Sequence, residues 1–104
     1  MIITTGEQVP GKKITKILGI PRGSTVRARN IGRDILAGLK NVVGGEISEY
    51  TKLQAESREQ AMERMIEDAQ MLGADAVINV RIQTSMIMQN ASEMLVYGTA
   101  VKLE

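Results

Sequence analysis

EISEYTKLQAESREQAMERMIEDAQML, residues 46–72, is the one long stretch of this chain with a single periodicity. Ile47, Tyr50, Leu53, Ala61, Met65, Ile66, Ala69 and Leu72 recur at steps near three and four, with Met62 beside them. That spacing puts them on one face of an amphipathic helix. Glu49, Lys52, Glu56, Glu59, Glu63 and Glu67 fall on the opposite face. The i,i+4 pairs Lys52–Glu56 and Arg64–Asp68, and the like-charge ladder Glu59–Glu63–Glu67, each shift helix stability by only about 0.2–0.5 kcal/mol. Covering one large aliphatic side chain is worth about 1.5–3 kcal/mol. The helix therefore needs a sheet over its apolar face, with Gly73 as its expected C-terminal cap.

Downstream, residues 76–89 alternate strictly, with Ala76, Ile78, Val80, Ile82, Thr84, Met86 and Met88 on one face. Asn90-Ala91 interrupts the pattern, which resumes over 92–103 and predicts a β-hairpin. An even loop centred there sets Ile78 opposite Leu103, Val80 opposite Val101, Ile82 opposite Thr99, Thr84 opposite Tyr97 and Met86 opposite Leu95. This apolar face suits the helix, while Asn79–Lys102 and Arg81–Ala100 make the other face polar. Near the turn, Ile87 opposes Met94 and Ser85 opposes Val96, so the tip is apolar on both sides. Small domains rarely leave such a surface in water. Met86, Ile87, Met88, Met94 and Val96 are therefore the candidate interface between copies, the alternative being cover from the first hairpin or a helix of the same chain.

Upstream, Met1–Thr5 reads as an edge or swapped strand, broken by Gly6 and Val9-Pro10-Gly11. Residues 13–18 and 24–29 alternate around Gly19, Pro21, Arg22 and Gly23, whose turn chemistry predicts a second hairpin. Asn30 then caps a short helix over 31–43, weakened by Gly32 and Gly38 and ended by Gly44-Gly45. The fold class expected is α+β: two hairpins, a short helix and one long helix on a mostly antiparallel sheet.

Composition narrows the chemistry. The 104 residues suit one domain, 1–104, and a chain of this size buries roughly two thirds of its unfolded surface. It has no Cys and no His, which removes disulfides, thiolate and imidazole ligands and the commonest general base. Two Tyr, with no Phe or Trp, leave no stacking platform for bases. There is no signal-peptide order at the N-terminus and no apolar run near the roughly 20 residues of a membrane span. A cytoplasmic protein without membrane partners is expected. Charge is uneven: residues 1–45 carry eight basic side chains against two acidic, and residues 46–72 carry seven acidic against three basic. Such asymmetry marks either an anion-binding surface or blocks that pair within the fold or between subunits.

Val42-Val43-Gly44-Gly45-Glu46-Ile47-x-x-Tyr50-x-x-Leu53 resembles the signature of the YbjQ-like bacterial family, as does Arg58-x-x-Ala61-x-x-Arg64-Met65. Ala69-x-x-x-Gly73-Ala74-Asp75-Ala76-Val77 completes the motif. The resemblance runs from the first strand through VRARN and GRDI to the last hairpin. It implies a small α+β subunit assembled into a ring, a pentamer, in an uncharacterised family that carries a heavy-metal-binding label. It brings no established activity.

The leading functional expectation is a non-enzymatic homo-oligomeric binding module. Its candidate anion or partner site comprises Arg27, Arg29 and Arg33, with Glu46 and Tyr50 one helical turn apart beside Gly44-Gly45. A glycine-rich entry to a helix can bind an anion through free N–H groups, although the pair is more simply a hinge. No cofactor and no metal site is expected. Met86 and Met88 share a strand face, which permits a thioether pair in principle, but paired Met on an apolar strand usually packs, and a ladder of Glu on a helix is usually just solvated. Hard-cation or other metal binding is one alternative. A small-molecule enzyme is another, without a P-loop lysine or a nucleophile–base pair to support it. Nucleic acid would rest on the basic block alone and is not expected.

Overall fold

The computed structural model describes residues 1–28, 48–88 and 91–104, the side chains of 27, 28 and 48–53 excepted. Among these residues five strands and one helix follow in the order β1 (Ile2–Ile3), β2 (Ile14–Gly19), β3 (Arg22–Ala28), α1 (Ser48–Met71), β4 (Ala76–Met88) and β5 (Ala91–Leu103). They form an α+β layer pair, a mixed and mostly antiparallel sheet with the helix on one face. The short helix expected over 31–43 and the Gly44-Gly45 junction lie outside the described residues.

The long helix stands where the periodicity put it, within two residues at each end. Ala61, Met65 and Ala69 are fully buried and Ser57 nearly so, an i,i+4 ladder facing the sheet. Ile66 and Met62 pack beside them, while Leu72 is 40% and Met71 87% exposed. Gly73, at φ 79°, ends the helix in the left-handed conformation, and the Ala74 amide donates to the Ala69 carbonyl at 3.1 Å.

The upstream strands correct the first-hairpin reading. β2 and β3 do not pair with each other. Both run antiparallel along one edge of β5, β2 against residues 100–103 and β3 against 91–97. Gly19 (φ 145°) and Pro21 bend the chain without reversing it, and the Gly98 amide donates to the Pro21 carbonyl at 3.2 Å. Gly23 serves neither as a turn residue nor as a strand breaker. It is the point where the sheet touches the helix: a Cβ built there would lie 2.3 Å from the Ala61 carbonyl oxygen and from the Met65 nitrogen. β3 is thus the strand nearest the helix, although the alternating pattern points to the second hairpin as the face that suits it. Three bonds stitch this seam. The Arg22 amide donates to Asp68 Oδ2 (3.0 Å), Arg64 Nη1 donates to the Ser24 carbonyl (2.6 Å), and Thr25 Oγ1 donates to the Ser57 carbonyl (3.3 Å).

The β4–β5 hairpin exists, but its register differs from the expected one. Ile78 pairs with Thr99, Ile82 with Val96 and Thr84 with Met94, with an extra residue on β4 between Ile78 and Arg81. Asn79, at φ 53°, sits in this bulge. A bulge exchanges the faces of a strand. Val77 and Val80 consequently both join Ala61, Met65, Ala69 and Val96 under the helix. Ala76 and Ile78 face the other way, where Val9 covers them together with Val101, Ile14 and Leu103. The N-terminal segment adds a parallel edge strand to its own chain: Ile2 and Ile3 pair with Ala76 and Val77, and the Asn79 amide donates to the Gly6 carbonyl.

Candidate functional site

Among the described residues the helix covers β3 together with Val77, Val80 and Val96, and the N-terminal loop covers Ala76, Ile78 and Val101 on the other face. Beyond the bulge, all of β4 from Arg81 to Met88 is exposed. Ile82 and Thr84 share the helix-side face of Val96 and Met94, because directly opposed residues point the same way. The helix lies over β3 and β5 and stops short of them. Ile82 is 46%, Met86 77%, Ile87 53% and Met88 63% exposed, and Val26 on β3 is 59% exposed. The described residues measure 55 × 27 × 16 Å with a radius of gyration of 17.1 Å. About 13 Å is usual for a compact chain of 100 residues. The distal hairpin is an arm.

The five candidate interface residues therefore separate. Met86, Ile87 and Met88 lie on the exposed arm, whereas Met94 (8% exposed) and Val96 (0%) are covered within the chain. The sheet also has two open edges among the described residues. β4 beyond Val80 pairs only with β5, and on the opposite side β2 and β3 pair with no other strand than β5, the Arg22 amide and Ser24 carbonyl of β3 being taken by Asp68 and Arg64 of the helix. An unpaired strand edge is a row of free N–H and C=O groups ready to accept another chain.

Of the candidate anion site, Arg29, Arg33 and Glu46 lie outside the described residues. Arg27 is placed on β3 opposite Ser92, and Tyr50 in the first turn of α1. Lys12, Lys13, Lys16 and Arg22 are exposed and precede Arg27 in the chain, in β2, β3 and the loop before β2. Their number in one short stretch was the only advance signal of a basic edge. The acidic ladder Glu59–Glu63–Glu67 is exposed on the helix.

Two charged anchors were not singled out from the sequence. Asp75, in the turn after the helix, accepts the Leu103 amide at 2.9 Å and Lys102 Nζ at 3.5 Å. The Leu103 N–H, and secondarily the nearby Lys102 ammonium, hold its carboxyl below the ordinary value of 3.8. Arg81 Nη1 donates to the Thr5 and Val80 carbonyls, both at 2.9 Å, fastening the N-terminal segment beside the bulge. Both groups hold structure together. Among the described residues no three Asp or Glu converge as a metal site, and no helix is long and apolar enough to cross a membrane.

A mixed, mostly antiparallel sheet with a long helix on one face and, among the described residues, an exposed arm and open strand edges is the class that this geometry defines. Comparison with known proteins places it further. A family model for YbjQ-type proteins, described as "Putative heavy-metal-binding", matches residues 1–104, and the chain belongs to that family. It is 57% identical over 103 residues to a UPF0145 protein of the archaeon Methanosarcina acetivorans, covering 99% of this chain and 97% of that one. It is 52% identical over 104 residues to a UPF0145 protein of the bacterium Thermus thermophilus, covering 100% and 91%. The family therefore spans archaea as well as bacteria. A crystal structure from Pediococcus pentosaceus, of a protein with unknown function assigned to the DUF74 family, has the same fold. Its TM-score is 0.65 at 16% identity, over 100% of this chain and 98% of that one. None of these relatives names a specific activity.

Proposed function

We propose that the chain works as a cytoplasmic, non-enzymatic homo-oligomeric binding module whose subunits join through the distal arm and present a basic edge to an anionic ligand or partner. The uncovered arm carries this reading. Ile82, Met86, Ile87 and Met88 are half or more exposed, or close to it, on a strand whose outer edge has no partner among the described residues. Such a surface is unfavourable in water and favourable against another copy.

The two open edges differ, β4 on one side and β2–β3 on the other. Contact between unlike edges is head-to-tail, and a head-to-tail contact closes into a ring when its rotation permits. The resemblance to the YbjQ-like family supports five copies. In such a ring β3 would bring Arg27 to a position repeated in every subunit, next to the arm of its neighbour. Repeated cations suit a small anion or an acidic partner.

The test is the mass in solution of the wild type and of Ile87→Asp, measured by light scattering. Ile87 is exposed in the single chain, so a charge there leaves the fold intact, as circular dichroism checks. The expected result is an oligomeric wild type and a variant shifted towards monomer. A wild type and variant of equal mass with equal stability would place the contact elsewhere and remove the arm from the proposal.

A further inference from the structure

We infer that this chain has no resident heavy-metal site, so that the metal-binding description of its family does not extend to it. Soft and borderline ions such as Zn²⁺, Cd²⁺, Ni²⁺ and Cu²⁺ are held in proteins chiefly by thiolates and imidazoles. The full sequence contains neither Cys nor His, residues 29–47 and 89–90 included. Assembly does not repair this: a symmetry axis multiplies the donors a chain has and creates none that it lacks. The inference is thus independent of the proposed oligomer.

Two donor types remain, the thioethers of seven Met and the carboxylates of twelve Asp and Glu. Met65 and Met94 are sealed in the core, and Met62 packs against it. Met1 and Met71 stand at the start of the chain and the end of the helix, far along the sequence from the arm. Met86 and Met88 are the two exposed Met of one strand, and an irregularity in the β4–β5 register falls between them. Two neutral thioethers supply no charge to offset the dehydration of a dication, and their softness suits only Cu⁺-like ions. The carboxylates prefer hard ions such as Mg²⁺ and Ca²⁺, and no three of them converge among the described residues. Asp75 already accepts from Leu103 and Lys102, and Asp68 from Arg22.

The experiment is equilibrium dialysis of the full chain against Zn²⁺, Cd²⁺, Ni²⁺ or Cu²⁺ separately, then against Cu⁺ under reductant, each followed by a competing chelator. Retained metal is measured by mass spectrometry of the digested protein. The expected retention matches the protein-free blank for every ion. A fixed fraction of an ion per chain, whether one per chain or one per oligomer, overturns the inference. The double variant Met86→Leu, Met88→Leu runs alongside in the Cu⁺ arm. Equal blanks for both proteins support the inference, and wild-type retention that the variant loses refutes it by exposing a thioether site.

Discussion

Replacing Gly23 with Ala tests the seam between sheet and helix. The added Cβ would lie 2.3 Å from the Ala61 carbonyl oxygen, 2.3 Å from the Met65 nitrogen and 2.7 Å from the Arg64 carbonyl carbon. All three are backbone atoms of α1, so no side chain can swing away and the helix itself must lift. Overpacking costs typically 1–3 kcal/mol, and rigid obstacles on several sides put this site at the upper end, about 3 kcal/mol. Ala in place of Gly within a strand returns roughly 0.5–1 kcal/mol. The net loss is about 2 kcal/mol, a fall in Tm of about 8–16 °C for a chain of this size. Lifting the helix also stretches the Thr25–Ser57, Arg64–Ser24 and Arg22–Asp68 bonds, so amide exchange should speed up along β3. The assay is thermal unfolding followed by circular dichroism at one fixed protomer concentration, because assembly shifts Tm by mass action. Gly6→Ala is the control: its Cβ would meet only Thr4 Oγ1 at 3.4 Å and the Gln8 carbonyl oxygen at 3.9 Å, an ordinary contact. A Gly23→Ala protein melting with the wild type would refute the close approach and with it the placement of β3 under the helix.

Asp75 is held ionised by the fold, so its contribution is complete above the ordinary value of 3.8 and is lost as pH falls through the lower folded value. Denaturant midpoints measured down through that range should decline less steeply in Asp75→Asn than in the wild type, and identical slopes would show that Asp75 carries none of the acid sensitivity. At the β4 bulge, Asn79→Gly should be neutral or slightly stabilising. Asn79→Val should cost about 1–3 kcal/mol, since a β-branched residue resists positive φ. Equal unfolding midpoints for the two would argue against the bulge. Ile87→Asp should shift light-scattering mass towards monomer without lowering Tm through any change in the subunit fold.

The helix was legible because Ala61, Met65 and Ala69 are spaced for burial on one side only and Gly73 closes the run. The hairpin after it was legible too, from alternation across a polar break. Its register was not. Ala76, Val77, Ile78 and Val80 are all apolar, so the alternation looks continuous through Asn79 and hides the extra residue that turns Val80 towards the helix. Gly19 to Gly23 misled for a related reason. Glycine and proline suit a reversal, a bend and a close approach alike, and only the helix lying over Gly23 distinguishes them. The apolar arm was anticipated from Met86, Ile87 and Met88. The burial of Met94 and Val96 on its helix side matches the alternative expectation, cover by the same chain. Both outcomes stood open because the pattern does not say how far across the sheet a helix reaches. The basic candidates were legible as composition, and Arg27 has a definite place on β3, opposite Ser92.

Sedimentation equilibrium of the wild-type chain over a micromolar concentration series tests self-association through the arm most directly. The arm, the open edges and the family resemblance together predict a concentration-stable mass several times 11.3 kDa, with five subunits as the expected number. A mass of 11.3 kDa across the series would contradict the account.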